Sequence, residues 1–549
     1  MSRQAFEALC DEHIEESFRL DPVYATLNGV HDFDSELGDP SLGAVRRRIE
    51  WLGDQLRRAE SEVEVRDLEP HERIDHRLLI SRLKAGLLVW ERQREAERNP
   101  ILYPDQCMYG VFLLFTREFA PFAERLVTLQ KRLSRIPAYL RAARETVGEC
   151  PTLFAQTAAE VADSAVSFLD EVRSEIGRRE PQAAANLGPP CDAAQGAFRE
   201  YAAWARDKAS QGSKETFAVG RDIFDARLRD EHLLAFDTRA LERHGWELLR
   251  ATQARMEEVA RTIHPQKSWR TLVEESKEDV PGEVEILDVY RKEVERARRF
   301  LVDKRLTPFP PGEILEIVAT PAFDRSRTPY AAYLMPGPFD SVQRGLFYVT
   351  CVDPTDSPEA RRATLLGHNL HSVPIITAHE AYPGHHLQLC WANRARTRLR
   401  KLADSPVLAE GWGLYCEELM YEQGFFPDAR SRLFQLKDAC WRAARVVLDC
   451  RLHTGEIEFG GAVDFLVEEA GLERPNAESE VRRYATSPTQ PMSYAVGKQA
   501  LLDLRGEVQK QLGDAFDLHD FHGAVLQAGT LPVGLVRDEV VEKFHAGSH

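Results

Sequence analysis

Apolar residues recur at three- and four-residue intervals along most of the first 300 residues, and this periodicity does most to narrow the folds open to the chain. LLISRLKAGLLVWERQREAERN (78–99) and RLVTLQKRLSRIPAYLRAARETV (125–147) show it, with their charges gathered on the other face. Such stripes predict long amphipathic helices that bury one side against each other. NLGPP at 186–190 is expected to be a loop between two of them. No internal repeat, low-complexity tract or long Gly/Ser linker interrupts the pattern. Near residue 305 it changes. LTPFPPGEILEIVATPAF, AAYLMPGPFD and RGLFYVTCV are short β-branched or aromatic runs between Pro and Gly clusters. They predict a small antiparallel sheet of about three strands over 313–350. Helical patterns resume near 358. The expected fold is mostly α and two-lobed, with a helical lobe over 1–305 and a second lobe over 306–549 that carries the sheet and the chemistry.

Hydrophobic residues make up 43% of the 549 residues and charged ones 29%, which suits a large globular core and excludes disorder as the dominant state. The formal net charge of −17 argues against a nucleic-acid partner, because a phosphate backbone needs clustered positive charge. No run approaches the ~18 apolar residues of a membrane span. The first residues, MSRQAFEALC, lack the charged–apolar–small order of a signal peptide. The nine cysteines are scattered without a CxxC pair, so neither a disulfide framework nor a thiolate zinc site is expected. A reduced, cytoplasmic protein is the expectation, with its oligomeric state left open.

The chemistry gathers in ITAHEAYPGHHLQLC, which holds His379, Glu380, His385 and His386. Zinc hydrolases of the HExxH kind place two histidines four residues apart on one helix, so that both reach one ion while the glutamate serves as base. Here the fifth position is Pro383. On an ideal helix His385 would lie roughly 9 Å along the axis from His379 and a third of a turn off its face, and His386 roughly 10.5 Å away. Pro383 cannot donate a backbone hydrogen bond and clashes one turn back, while Gly384 accepts unusual dihedrals. A bulge that loops out two residues would bring His385 to the i+4 place. By this argument His385 is the second ligand and His386 stands behind it or faces substrate.

A third ligand is expected on the following helix, SPVLAEGWGLYCEELMYEQG. Glu410 is the first choice. Glu417, seven residues on, shares its face and could orient a histidine. The plainer alternative is a satisfied polar cluster, yet burying these groups without a metal would leave several in need of partners. Further along, SYAVGKQALLDLR aligns Tyr494, Lys498 and Arg505. Tyr494 could donate to an oxyanion, and Lys498 or Arg505 could hold a substrate carboxylate. An amphipathic surface helix with a buried tyrosine explains the same residues. Gln490 is a weaker pocket candidate. His368 and His371 are expected at the surface or behind the site.

HEAYPGHHLQ followed by EGWGLYCEE resembles the bacterial domain-of-unknown-function family 885, which is regarded as related to the gluzincin metallopeptidases such as thimet oligopeptidase, angiotensin-converting enzyme and carboxypeptidase Taq. The resemblance runs nearly end to end. DPVYATLNGVHDFD (21–34) is similar to the family's opening motif, PAFDRSRTPYAAYLMPGPFD to its pre-catalytic segment and TSPTQPMSYAVGKQALLDLR to its C-terminal one. It implies a gluzincin-like fold, metal ligands at His379, His385 and Glu410, and Glu380 as base. The spacing of the motif, HEAYPGH, departs from the HExxH of those peptidases. The expected function is zinc-dependent hydrolysis of short peptides or peptide ends by a dipeptidase, carboxypeptidase or oligopeptidase. The alternatives are a metal-dependent hydrolase of another amide or ester, and a metal-stabilised binding protein without catalysis.

Overall fold

The computed structural model describes residues 3–321, 325, 328 and 330–546. Part of the pre-catalytic segment (322–324, 326–327 and 329) lies outside them. The chain is mostly helical and divides into two compact units. One comprises Met1–Val219 with Gly337–Val342, and the other Gly220–Pro336 with Gln343–His549.

In the first unit the Thr152–Arg179 and Pro181–Gln211 helices pack along each other, and the second of these also packs on Phe122–Thr146. The expected loop at 186–190 is therefore helix, with Pro189 and Pro190 inside it. Proline's fixed φ is helical, but each ring forfeits a backbone hydrogen bond and crowds the carbonyl one turn back. Leu187, Cys191, Ala194 and Phe198, all buried, carry the apolar stripe straight past the two prolines and hold the helix together.

The boundary falls at 219–220 rather than at 305. The Thr238–Ile263 helix lies along Ala429–Thr454, so close that a Cβ on Gly245 would stand 2.9 Å from a Val446 methyl. The Ile286–Lys304 helix packs on β1 (Ile314–Ala319) and on the Val373–Glu380 helix. Residues 220–305 thus complete the core of the second unit.

The sheet is mixed, not antiparallel. Its order is β1, β3 (Arg344–Val349), β2 (Ala331–Leu334). β3 runs parallel to β1, with Ile314 opposite Arg344, and antiparallel to β2, with Ala331 opposite Val349. β3 takes the centre because Phe347, Tyr348 and Val349 are buried, whereas β1 and β2 are half-buried and occupy the edges. Among the described residues no helix is long and apolar enough to cross a membrane, and the nine cysteines are free thiols.

Candidate metal centre

The HEAYPGHH segment is two helices rather than one bulged helix. Val373–Glu380 ends at Ala381 (φ −106°, ψ −91°), Tyr382–Pro383 is a cis peptide, and a new helix, His385–Ala392, starts after Gly384. Pro383 cannot extend the first helix, and its predecessor is pushed out of helical dihedrals. Gly384 turns back onto that helix so closely that a Cβ there would lie 1.8 Å from the His379 carbonyl oxygen. The Trp412 indole N–H donates to the Pro383 carbonyl at 2.9 Å and ties the turn down. The reversal sets the His379 and His385 rings edge to face, with centroids 4.7 Å apart.

Glu410 closes the group. Its Oε2 is 3.5 Å from His379 Nε2 and 3.4 Å from His385 Nε2. Charge-assisted hydrogen bonds of this type are about 2.7–2.9 Å long. A tetrahedron with arms of about 2.1 Å, the usual zinc bond length, has edges of about 3.4 Å. The Glu380 carboxylate joins the two imidazoles, all three offering donor atoms within 4.8 Å of one another. His379 Nδ1 donates to Glu417 Oε1 at 2.8 Å, which fixes the tautomer and aims Nε2 at the cluster. The other Glu417 oxygen and His385 Nδ1 are buried without a hydrogen-bond partner.

Burial alone would lower the pKa of His379. The Glu410 and Glu417 carboxylates, with Glu380, outweigh it and push the ring up to about 10. Burial would raise Glu410, but His379 and His385 drag it well below the usual carboxylate range. The three glutamates therefore make a site that favours a cation.

Glycines bring the helices this close. A Cβ on Gly413 would lie 2.6 Å from the His379 ring, so the Pro406–Glu422 helix lies directly against that imidazole. Gly411 and Gly497 meet where this helix crosses Ser493–Leu512, and a Cβ on Gly497 would sit 1.8 Å from the Val407 carbonyl oxygen. The crossing lays Tyr494 against His379, with ring centroids 6.3 Å apart at 25°. Burial and the Glu410 charge raise the Tyr494 pKa, and nearby arginines only partly offset this, so the phenol keeps its proton.

The remaining expected residues lie elsewhere. His386 turns toward the sheet, with Nε2 2.8 Å from Glu313 and Nδ1 3.0 Å from the Tyr333 hydroxyl. Lys498 pairs with Glu418 at 2.9 Å, and Arg505 holds Glu422 at 2.8 and 3.0 Å. Both cations are thus held by the chain's own carboxylates, Arg505 by Glu422 alone and Lys498 by a Glu418 that also binds Arg255 and Arg432. Gln490 accepts from Arg483 at 3.0 Å. His368 is core, not surface: it lies between the Tyr290 hydroxyl and the Thr350 carbonyl, and burial lowers it to about 4. His371 is likewise buried, against Asp279 at 2.9 Å. The arginines beside Tyr494, namely Arg442 and Arg445, went unread because their helix, Ala429–Thr454, shows only an ordinary charged face in the sequence.

A mostly helical chain with two histidines and a glutamate converging beside a broken helix is the class these features define. The chain belongs to the family described as bacterial protein of unknown function (DUF885), which matches residues 22–540. Two solved structures share its fold. A "putative lipoprotein of unknown function" from Shewanella oneidensis is 23% identical over 98% of this chain and 99% of that one, with a TM-score of 0.81. A second protein named as a putative lipoprotein, from Colwellia psychrerythraea, is 16% identical over 99% of each chain, with a TM-score of 0.84. No curated protein matches.

Proposed function

We propose that His379, His385 and Glu410 hold one zinc ion and that the protein hydrolyses peptide bonds in short peptides or at peptide ends. The carrying observation is the 3.4–3.5 Å spacing of Glu410 Oε2 from the two Nε2 atoms, too long for hydrogen bonds and right for the edges of a zinc tetrahedron. Zinc, when bound, supplies a Lewis acid that activates water at neutral pH. Glu380, beside both histidines, takes the proton of the attacking water and passes it to the leaving amine. Glu417 holds His379 in the tautomer that presents Nε2. Tyr494 donates its proton-bearing hydroxyl toward the oxyanion. The same reading places the chain among relatives of the two-lobed gluzincin peptidases.

The test is metal content by elemental analysis, with turnover of a dipeptide and oligopeptide library measured before and after chelation. Esters and non-peptide amides run alongside. Activity should vanish with the metal and return with zinc. Glu380→Gln should keep the metal and lose about 10²–10⁴ in rate. Full activity in that variant, or in the chelated protein, would end the proposal, and turnover confined to esters would redirect it.

A further inference from the structure

Beyond Tyr494 lies a group of arginines that the scheme above does not use. Arg445 is 3% exposed, its Cζ 4.8 Å from the centre of the Tyr494 ring. One of its terminal nitrogens reaches Glu480 at 3.2 Å, while Nε and Nη1 are buried with no hydrogen-bond partner. Glu480 is shared, since Arg483 donates to it at 2.7 Å. Arg442 stands 5.8 Å from the same ring, its Nε also buried without a partner. Its nearby carboxylate, Asp438 at 3.6 Å, is held at 3.1 Å by Lys437. Glu480 and Asp438 thus face more cations than they can neutralise. A buried guanidinium with idle N–H groups is costly unless an acceptor arrives, and its planar fork matches a carboxylate.

We propose that Arg445, flanked by Arg442 and Arg483, binds the terminal carboxylate of a peptide one residue beyond the bond that is cut. The inference rests on the hydrolase reading and narrows it to substrates with a free C-terminus. Tyr494 is the common neighbour, 6.3 Å from the His379 ring and 4.8 Å from the Arg445 Cζ. The His379 ring and the Arg445 guanidinium are therefore at most roughly 11 Å apart. A separation within that limit suits one residue of about 3.3–3.6 Å with a contact at each end. Lys498 and Arg505, the cations that the sequence suggested for this task, are already paired.

Calorimetric titration of the zinc-loaded Glu380→Gln protein, which leaves peptides uncut, tests this with three probes. They are Ala-Leu, its C-terminal amide, and the amide of Ala-Asp, whose carboxylate is a side chain. Ala-Leu should bind at least about tenfold tighter than either amide. Arg445→Met should erase the preference with metal content unchanged, and Arg445→Lys should keep part of it. Should Arg445→Met fail to fold, the more accessible Arg442→Gln must still weaken Ala-Leu several-fold and leave its amide unaffected. Equal binding of acid and amide would overturn the proposal, as would tighter binding of the Ala-Asp amide than of Ala-Leu. The two readings fail separately. Selective binding of Ala-Leu without any peptide turnover in the wild type would remove the hydrolase and leave the carboxylate site. Equal turnover of Ala-Leu and its amide would do the reverse.

Discussion

In the first unit His31 is set among carboxylates much as His379 and His385 are in the second, yet the distances separate the two places. His31 Nδ1 is 2.9 Å from Asp34, whose other oxygen accepts from Thr26 at 2.6 Å. Arg132 donates to that threonine hydroxyl at 3.0 Å and to the Gly110 carbonyl at 2.9 Å. The imidazole stacks on Phe119 at 3.6 Å. These are hydrogen-bond and stacking distances, and they interlock residues far apart in the chain. Around Glu410 the separations stretch to 3.4–3.5 Å, with one carboxylate oxygen facing both Nε2 atoms. Residue type and burial alone do not distinguish a staple from a ligand site. Distance and direction do, because a proton fits the shorter gap and an ion fits the longer one.

Exchanging the two roles is the most severe way to break this comparison. His385→Ala should lower metal affinity by more than the about 10–100-fold typical of losing a supporting partner, and abolish turnover with it. Asp34→Asn should leave metal content and rate intact and cost about 1–3 kcal/mol of stability, the usual penalty for an unsatisfied buried partner. Elemental analysis and thermal melts on both variants decide the matter. Metal loss in the Asp34 variant, or full metal in the His385 variant, would show that the distances were misread.

Much of the site was legible because its signals are local. The proline in HEAYPGHH announced that the helix could not continue, and the choice of His385 over His386 followed from that. A complete break was not legible, since it depends on Gly384 packing onto the His379 carbonyl and on Trp412 anchoring Pro383. The glycines of EGWG and AVGK carried a readable message that was missed: helices touch there. The sheet misled because parallel pairing of β1 with β3 is a property of the connection, not of either strand. Lys498 and Arg505 misled because a helical face shows which side chains align but not which carboxylates from other helices already hold them. Arg445 was invisible for the converse reason: its idle N–H groups exist only once the neighbouring helices are in place.

A smaller effect sharpens the comparison inside the site itself. Tyr494 stacks against His379 and is not among the proposed ligands, so it should act on the reaction and not on the metal. Tyr494→Phe keeps the ring that packs there and deletes one donor. If that donor serves the oxyanion, kcat falls by the equivalent of about 2.7–4 kcal/mol while KM and metal content hold. If the hydroxyl serves packing alone, the rate is kept and stability drops by about 0.5–1.5 kcal/mol. Steady-state kinetics on the zinc-loaded variant separates the two outcomes.

The smallest effect concerns the staple. Burial alone would lower the pKa of His31, but Asp34 and Asp340 outweigh it and push the ring up to about 9. Asp340 is itself 3.6 Å from Arg117, so the imidazolium completes a chain of alternating charges. A group whose folded pKa is raised stabilises the fold fully below its unfolded value, about 6.5 for histidine, and loses that contribution as pH climbs through the folded value. Stability should therefore decline between about pH 6.5 and 9 by something on the order of 1–3 kcal/mol. His31→Gln cannot titrate. It should start less stable at pH 6 and lack this decline, so the two melting profiles converge toward pH 10, by about 2–4 °C per kcal/mol for a unit of this size. Both proteins are compared at the same metal content, so that any titration of His379 is common to the two. Profiles that stay parallel across the range would show that His31 is held by packing on Phe119 and not by its charge.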